Sequence, residues 1–303
     1  MKATVVLNVS AGKVAASEAV TVSRVREAFR RTTLEVQILA IGRAGVLEAA
    51  RRAAASDADV VVLGGGDGTL SMGASALVGG HKPLGILPLG SLNHFAKDVG
   101  IPLDLDQAVG TIDGGQVREV DVGEVNGRTF LNNSSIGLYP SAVAQREELR
   151  HRSGGGKWPA MFNACVDVFR RFPLLDVTLQ VDDRAVALTT PFVFVGNNRY
   201  EMSLFSLGTR ASLQAGELSV YLTRDLGRMG LVRLAFRALL GRLEQDRDFR
   251  SVMLPRVEIR TRRRSVRVSL DGEVAWMASP IRYAVRPRAL RVFVPMPKAA
   301  EAA

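Results

Sequence analysis

Asp59-Val-Val-Val-Leu-Gly-Gly-Gly-Asp-Gly-Thr-Leu70, written DVVVLGGGDGTL, sets a run of β-branched residues against four glycines in five positions, with one carboxylate, Asp67, among them. The apolar run has the length and composition of a buried strand, and TLSMGASALV (residues 69–78) reads as a helix opening from the loop. A glycine backbone lets peptide N–H groups approach an anion closely, because no Cβ stands between them. Asp67 complicates that reading. A carboxylate repels a bare polyphosphate unless a cation lies between them or the carboxylate takes part in the chemistry. The loop is not a Walker A loop, since no Gly-Lys-Ser/Thr follows, and its last glycine misses the spacing of the dinucleotide fingerprint. Taken alone, it also fits a tight strand-to-helix turn with Asp67 as the helix cap.

On either side of this segment, TVVLNV (4–9), LEVQILA (34–40) and LGILPL (84–89) are strand patterns. Between them, residues 17–31 place Val22, Val25 and Phe29 on one helical face, GVLEAARRAAA (45–55) is an alanine-rich helix, and LNHFAKDV (92–99) begins another. Such alternation predicts a parallel sheet with helices on both faces. Near Val117 the pattern changes. VREVDVGEV-NG-RTFLNNSS places an Asn126-Gly127 turn between two strand patterns, a strong hairpin signal. Further hairpins are expected at DVTLQV-DD-RAVALTTPFVFVG (176–196) and at RVEIRTRRRSVRVSL (256–270), the latter turning near Arg263. The expected fold class is thus an α/β N-terminal domain with a Rossmann-like parallel sheet, residues 1–125, plus a C-terminal, mainly antiparallel and β-sandwich-like domain, residues 126–303. Its last strand is a candidate to return to the first domain.

Length and composition agree with a globular protein of one large or two medium domains: 303 residues, 47% of them hydrophobic. Forty Lys+Arg against thirty Asp+Glu give a formal charge of +10, which favours acidic partners such as phosphorylated ligands, anionic lipid surfaces or nucleic acid. Nucleic acid is not expected, because neither an aromatic RNA-binding signature nor a DNA-binding unit accompanies the charge. Cys165 is the only cysteine, so no intrachain disulfide forms. The N-terminal MKATVVLN reads as a first strand rather than a signal peptide, and the best apolar stretch, MGLVRLAFRALLG, is broken by Arg233 and Arg237. The expectation is a cytoplasmic protein.

A second loop, Pro88-Leu-Gly-Ser-Leu-Asn-His-Phe95, also lies between a strand and a helix. Ser91 and Asn93 can donate to phosphate or ribose oxygens, and each equally fits an ordinary helix cap. The first strand ends in Asn8-Val9-Ser10-Ala11-Gly12-Lys13, a third small-residue turn. In a parallel sheet all three turns lie at one end, which describes a nucleotide cleft.

GGDGTL, PLGSLNHFAKDVGIP and Asp271-Gly272-Glu273, in this order, resemble the diacylglycerol kinase catalytic family, the bacterial lipid kinases related to sphingosine kinases. The likeness extends over nearly the whole chain, through NVSAG, FLNNSSIGLY and VGNNRYEMSLFSLGTRASLQAGELSVYLT. GGDGT itself is shared with NAD kinases and phosphofructokinases, so the three segments together carry the specificity. The resemblance implies ATP-dependent transfer of the γ-phosphoryl group to a lipid hydroxyl, with Mg²⁺. It implies ATP contacts from Asn8, Val9, Ser10, Ala11 and Gly12, from Gly65, Gly66, Gly68 and Thr69, and from Ser91, to which the capping position of Asn93 adds a neighbouring donor. Asp67 then acts as a catalytic residue near the metal and phosphates, and Glu273 as the base that takes the lipid hydroxyl proton. Phosphoryl transfer needs positioning, charge neutralisation and a proton acceptor, so carboxylates beside a phosphate cradle suit it. Asp271-Gly272 also fits a plain hairpin turn with Glu273 solvated beyond it.

The chain departs from the family at several places. The usual asparagine-proline is Asn8-Val9, the common asparagine-aspartate is Asn93-His94, and the asparagine-glutamate after GGDGTL is Ser71-Met72. Where relatives carry aspartates that hold a structural Mg²⁺, this chain has Gln214-Ala215-Gly216-Glu217 and Ser219, so that second metal site is not predicted. Peripheral membrane association is expected from GKWPAMFNACVDVFRRF (156–172), from GRMGLVRLAFRALLGR (227–242) and from the six arginines between Arg256 and Arg267, with the lipid substrate drawn from an anionic surface. Two other readings stand beside the kinase. One is an NAD kinase-like enzyme, although no Gly-Ser-Thr-Ala-Tyr segment is present; the other is a catalytically silent, kinase-like lipid-binding or regulatory module.

Overall fold

A computed structural model describes residues 1–10, 18–137, 174–182, 184–203, 206–210, 212–223 and 249–297. The chain divides into two compact units, Met1–Val122 with Arg286–Ala303, and Gly123–Val285. In the first, β1 (Lys2–Asn8), α1 (Glu18–Phe29), β2 (Glu35–Ile41), α2 (Val46–Ala55), β3 (Val60–Gly65), α3 (Asp67–Ala74) and β4 (Leu84–Pro88) alternate, and α4 (His94–Asp98) and α5 (Leu105–Gly114) follow. The strands are parallel in the order β2-β1-β3-β4. Because β3 is covered on both faces, every residue of VVVLGG is buried, as its unbroken apolar run requires. On α2, Val46, Ala49, Ala50 and Ala53 form the buried face at helical spacing. A Cβ on Gly73 would lie 2.6 Å from a methyl of Leu63, so the absence of a side chain there lets α3 lie close on β3. Asp104 caps α5 by accepting from the Gln107 N–H at 3.0 Å.

The second unit is β-rich. Its strands are β5 (Gln116–Val125, entering from the first unit), β6 (Arg128–Phe130), β7 (Asn133–Gly137), β8 (Leu175–Val181), β9 (Arg184–Thr190), β10 (Phe192–Asn197), β11 (Tyr200–Ser203), β12 (Ser206–Arg210), β13 (Leu218–Thr223), β14 (Phe249–Leu254), β15 (Arg256–Thr261), β16 (Ser265–Leu270) and β17 (Glu273–Ala278), followed by β18 (Ile281–Val294). β14-β13-β10-β7-β16-β17 form one antiparallel sheet, and β15 pairs with β18 and β8, which in turn pairs with β9. Ile136, Val193, Val220 and Val268 of the first set share one buried cluster with Val177, Ile259 and Tyr283 of the second, the core expected of a β-sandwich. β18 then runs on into the first unit, where Val292 pairs in parallel with Leu84 of β4.

Two expected hairpins form. Asn126 and Gly127 turn between β5 and β6 with φ of 46° and 78°, the positive values that a two-residue primed turn demands. β8 and β9 pair from Leu175↔Thr190 to Val181↔Arg184. The hairpin expected at 256–270 does not form. β15 and β16 belong to different sheets, and β16 pairs with β17 and β7 instead. Its apolar residues do change parity across the arginines, from Val257 and Ile259 to Val266, Val268 and Leu270, but both sets enter the shared core from opposite sheets. The arginine segment is a crossing between sheets, and the local hairpin turn is Asp271-Gly272.

Candidate active site

In the first unit, the β2-β1-β3-β4 order places β1 and β3 side by side although the chain leaves them in opposite directions. That makes a topological switch point, and the ends of Asn8 and Gly65 flank it. The side chain of Asn8, buried at the end of β1, donates from Nδ2 to Thr69 Oγ1 at 2.8 Å, while its Oδ1 accepts from the Ser10 N–H at 3.0 Å. The first turn is thereby fixed to the glycine loop. A Cβ on Gly65 would lie 2.6 Å from Thr69, so glycine is what allows this closeness. Gly68 lies in the first turn of α3, which begins at Asp67 with no side-chain cap on its N–H groups, and the first N–H groups of any helix lack intrahelical partners.

The second loop joins the first through Asp67. Its Oδ1 accepts from the Phe95 N–H at the start of α4, at 3.1 Å, and the Leu89 N–H donates to the Gly65 carbonyl at 3.0 Å. Gly66 and Gly90 pass so closely that a Cβ on Gly90 would overlap the Gly66 backbone. Asn93, left-handed at φ 51°, shapes this loop: it donates to the carbonyls of Pro88 (3.1 Å) and Gly90 (2.9 Å), and accepts from the Gly90 N–H (3.0 Å). Both its amide hydrogens are therefore committed to the backbone. Ser91 is exposed, Val9 continues the β1–β2 ladder by donating to the Ile41 carbonyl, and Ala11 and Gly12 lie outside the described residues.

In the second unit, Asp271 and Gly272, at φ 46° and 86°, turn between Leu270 and Glu273, which face each other across β16 and β17. Glu273 is half-buried. Asp271 does more than turn the chain. Its carboxylate accepts three consecutive backbone N–H groups, Leu131 through Oδ2 at 2.7 Å and Asn132 and Asn133 through Oδ1 at 2.8 and 3.0 Å. The other side of the same segment is held by buried Arg210, which donates to the Leu131 carbonyl at 2.7 Å and to Asn132 Oδ1 at 3.2 Å, and by Asn197, which donates to the Leu131 carbonyl at 2.9 Å. This polar layer escapes the sequence reading. The signal for it is the pair of doublets Asn132-Asn133 and Asn197-Asn198, at the start of β7 and the end of β10 and all four buried, since buried amides persist only where partners exist. Nearby, burial raises the Tyr283 phenol pKa, only partly offset by its hydrogen bond with Ser134.

No group of three or more His, Cys, Asp or Glu that suits a metal occurs among the described residues. Mg²⁺ seldom needs one, because one or two carboxylates with substrate phosphates and water complete its octahedron. Asp67 fits that donor set: its Oδ1 is taken by the Phe95 N–H, whereas its Oδ2 accepts no bond from the described residues. The apolar segments 156–172 and 227–242 lie outside the described residues, and among the described ones no helix is long and apolar enough to cross a membrane.

Residues 2–125 match the diacylglycerol kinase catalytic domain, and residues 139–294 match the YegS C-terminal NAD kinase beta sandwich-like domain. A protein of Pseudomonas syringae pv. tomato named "Probable lipid kinase YegS-like" is 33% identical over 250 residues, covering 78% of this chain and 75% of the relative. A protein of the same name from Pseudomonas aeruginosa is 32% identical over 246 residues, with 78% and 76% covered. Among solved structures, a diacylglycerol kinase from Bacillus anthracis superposes with a TM-score of 0.68 at 20% identity, covering 97% of this chain and 96% of its own. Yeast NADH kinase follows at 0.57 and 12%, covering 98% and 84%. The two latter similarities describe the fold, an α/β domain and a β-sandwich-like domain shared by both kinds of kinase. Matched in both of its domains and over three quarters of its relatives' length, the chain belongs to the family of YegS-like lipid kinases built on the diacylglycerol kinase catalytic domain.

Proposed function

We propose that this protein transfers the γ-phosphoryl group of ATP to a lipid hydroxyl, such as that of diacylglycerol. The observation that carries the reading is the pair of bonds, Asn8 to Thr69 and Asp67 to Phe95, that tie three small-residue turns together beside a topological switch point. Turns lined by backbone N–H groups at that position suit a polyphosphate, and the uncapped first turn of α3 favours negative charge. Asp67 Oδ2 is the oxygen that would hold Mg²⁺ against the phosphates. Held there, the ion would supply charge neutralisation for the phosphoryl oxygens.

Glu273 takes the proton of the lipid hydroxyl. The freed oxygen attacks the γ-phosphorus, the bond from that phosphorus to the bridging oxygen breaks, and ADP leaves with the electron pair. The polar layer around Asp271 holds the turn on which this base stands. Removal of a general base lowers turnover by roughly 10²–10⁴-fold, the range within which Glu273→Gln should fall.

The test is incubation of the protein with γ-labelled ATP and Mg²⁺, with a total lipid extract and NAD offered in parallel, and Asp67→Asn as control. Label in a lipid, abolished by Asp67→Asn, is the expected result. Label in NAD alone would replace this reading by an NAD kinase. Label in neither, with nucleotide still bound, would leave a silent lipid-binding module.

A further inference from the structure

β17 has two unlike faces. Glu273, Ala275 and Met277 alternate with Val274, Trp276 and Ala278, and the second set is exposed, Trp276 to 64% and Val274 to 38%. Among the described residues β17 is also the terminal strand of its sheet, so no described strand pairs with its outer edge. An isolated exposed apolar residue needs no explanation. This one has a cationic setting. Trp276 stands opposite Arg267 in the ladder, and the guanidinium lies 5.2 Å from the ring centroid, a cation–π arrangement.

The crossing segment brings more charge to the same place. Ser265 pairs with Ala278, and the Ser279 N–H donates to the Arg264 carbonyl at 2.9 Å, so Arg262, Arg263 and Arg264 are held at the end of β17. All three are exposed. Asp176 lies 3.2 Å from Arg262, and Glu258 pairs with Arg260 and Arg282. Among the described residues, Arg263, Arg264 and Arg267 meet no carboxylate.

We propose that this face of β17, Val274 and Trp276 with Arg263, Arg264 and Arg267, is where the protein settles on an anionic bilayer, resting on the lipid-kinase reading above. The chemistry of the occupant follows from the face. A tryptophan ring is at home at headgroup depth, with its apolar body toward the acyl chains, and guanidinium groups around it pair with phosphate. A second copy of the chain fits less well, since it brings the same +10 excess of charge. The placement also has a consequence for catalysis. Glu273 precedes Trp276 by three residues on one extended strand, roughly 10 Å. A tryptophan seated at the headgroups therefore keeps the candidate base within about that distance of the level at which a lipid hydroxyl emerges.

Fluorescence tests the face without turnover or nucleotide. The chain has two tryptophans, so Trp158→Phe leaves Trp276 as the reporter. The full-length variant is mixed with vesicles of phosphatidylcholine alone, or of phosphatidylcholine with phosphatidylglycerol, each with bromine on the acyl chains near the headgroup. Blue-shifted, quenched emission with the anionic vesicles, reversed by high salt, is expected. Arg263→Gln with Arg264→Gln should weaken binding roughly tenfold or more, at about 1 kcal/mol per basic residue near an anionic surface. Cosedimentation with unquenched Trp276 would show that another face binds and overturn the proposal. So would a blue shift that follows protein concentration and ignores vesicles, which would assign β17 to a second copy. A protein that phosphorylates lipid yet leaves Trp276 unquenched refutes this face alone, and one that binds through Trp276 without turnover refutes the kinase alone.

Discussion

Asp271 occupies a position where a neutral side chain would leave the backbone short of acceptors. Three N–H groups, from Leu131 to Asn133, point to its two oxygens, and a hydrogen bond to a charged group contributes about 1.5–3 kcal/mol net. Asp271→Asn keeps one carbonyl oxygen but sets an amide N–H₂ against at least one of those donors. The substitution should lower stability by about 2 kcal/mol. Thermal unfolding reads this as a Tm lower by about 4–8 °C, and an unchanged Tm would mean that the three bonds contribute nothing. Because Glu273 lies two residues beyond the clamp, turnover should fall with it, more steeply than nucleotide affinity. The sequence makes Asp271-Gly272 legible as a turn through its composition. The grip on Leu131, Asn132 and Asn133 joins residues about 140 positions apart, which no local pattern encodes. The same holds for Asn93, which reads as a donor for a ligand until its bonds to Pro88 and Gly90 are seen.

At the scale of elements, the two glycine-bearing loops depend on each other's backbones. A methyl group on Gly90 would meet the Gly66 backbone, which cannot rotate away as a side chain does, so Gly90→Ala must part the loops. Overpacking of this kind typically costs about 1–3 kcal/mol, and the displaced loops should also bind nucleotide less tightly. Gly110 in α5 gives the opposite expectation. Nothing lies within 4 Å of its Cβ position, so Gly110→Ala should stabilise by up to about 1 kcal/mol through helix propensity alone. Denaturant unfolding of the two variants, with nucleotide binding by calorimetry, checks both signs. These loops are legible because each interrupts a change from strand to helical periodicity. The crossing at 256–270 is not, because alternation tells which face of a strand is apolar and says nothing of its partner. Val257 and Ile259 satisfy the same rule in one sheet that Val266 and Val268 satisfy in the other.

Over the whole molecule, alternation of strands and helices followed by hairpins carries the fold class, whereas the order β2-β1-β3-β4, and so the loops that flank the switch point, depends on pairings that only the folded chain reveals. Its surface charge is equally unresolved in a sequence count, because forty basic side chains include some that serve the fold. Glu258 shows the difference. It accepts from Arg260 Nε at 2.8 Å and from Arg282 Nε at 2.9 Å, joining β15 to β18. Partial burial raises its pKa, but the bonds from Arg282 and Arg260 outweigh that and hold it below the ordinary glutamate value of 4.5. Just below that value the unfolded chain binds more protons than the folded one, so stability there rises with pH. The contribution is complete above about 4.5 and is lost as pH falls through the lower folded value. Both arginines are well exposed, at 61% and 69%, so solvent screening limits the effect. Glu258→Gln should therefore cost no more than about 1 kcal/mol at neutral pH. Thermal melts of the variant and the unsubstituted protein, taken from neutral pH into the acid range, should show the two Tm values converging as the carboxylate is protonated. A constant gap would assign the effect to packing, and no gap at neutral pH would deny these pairs any part in acid stability.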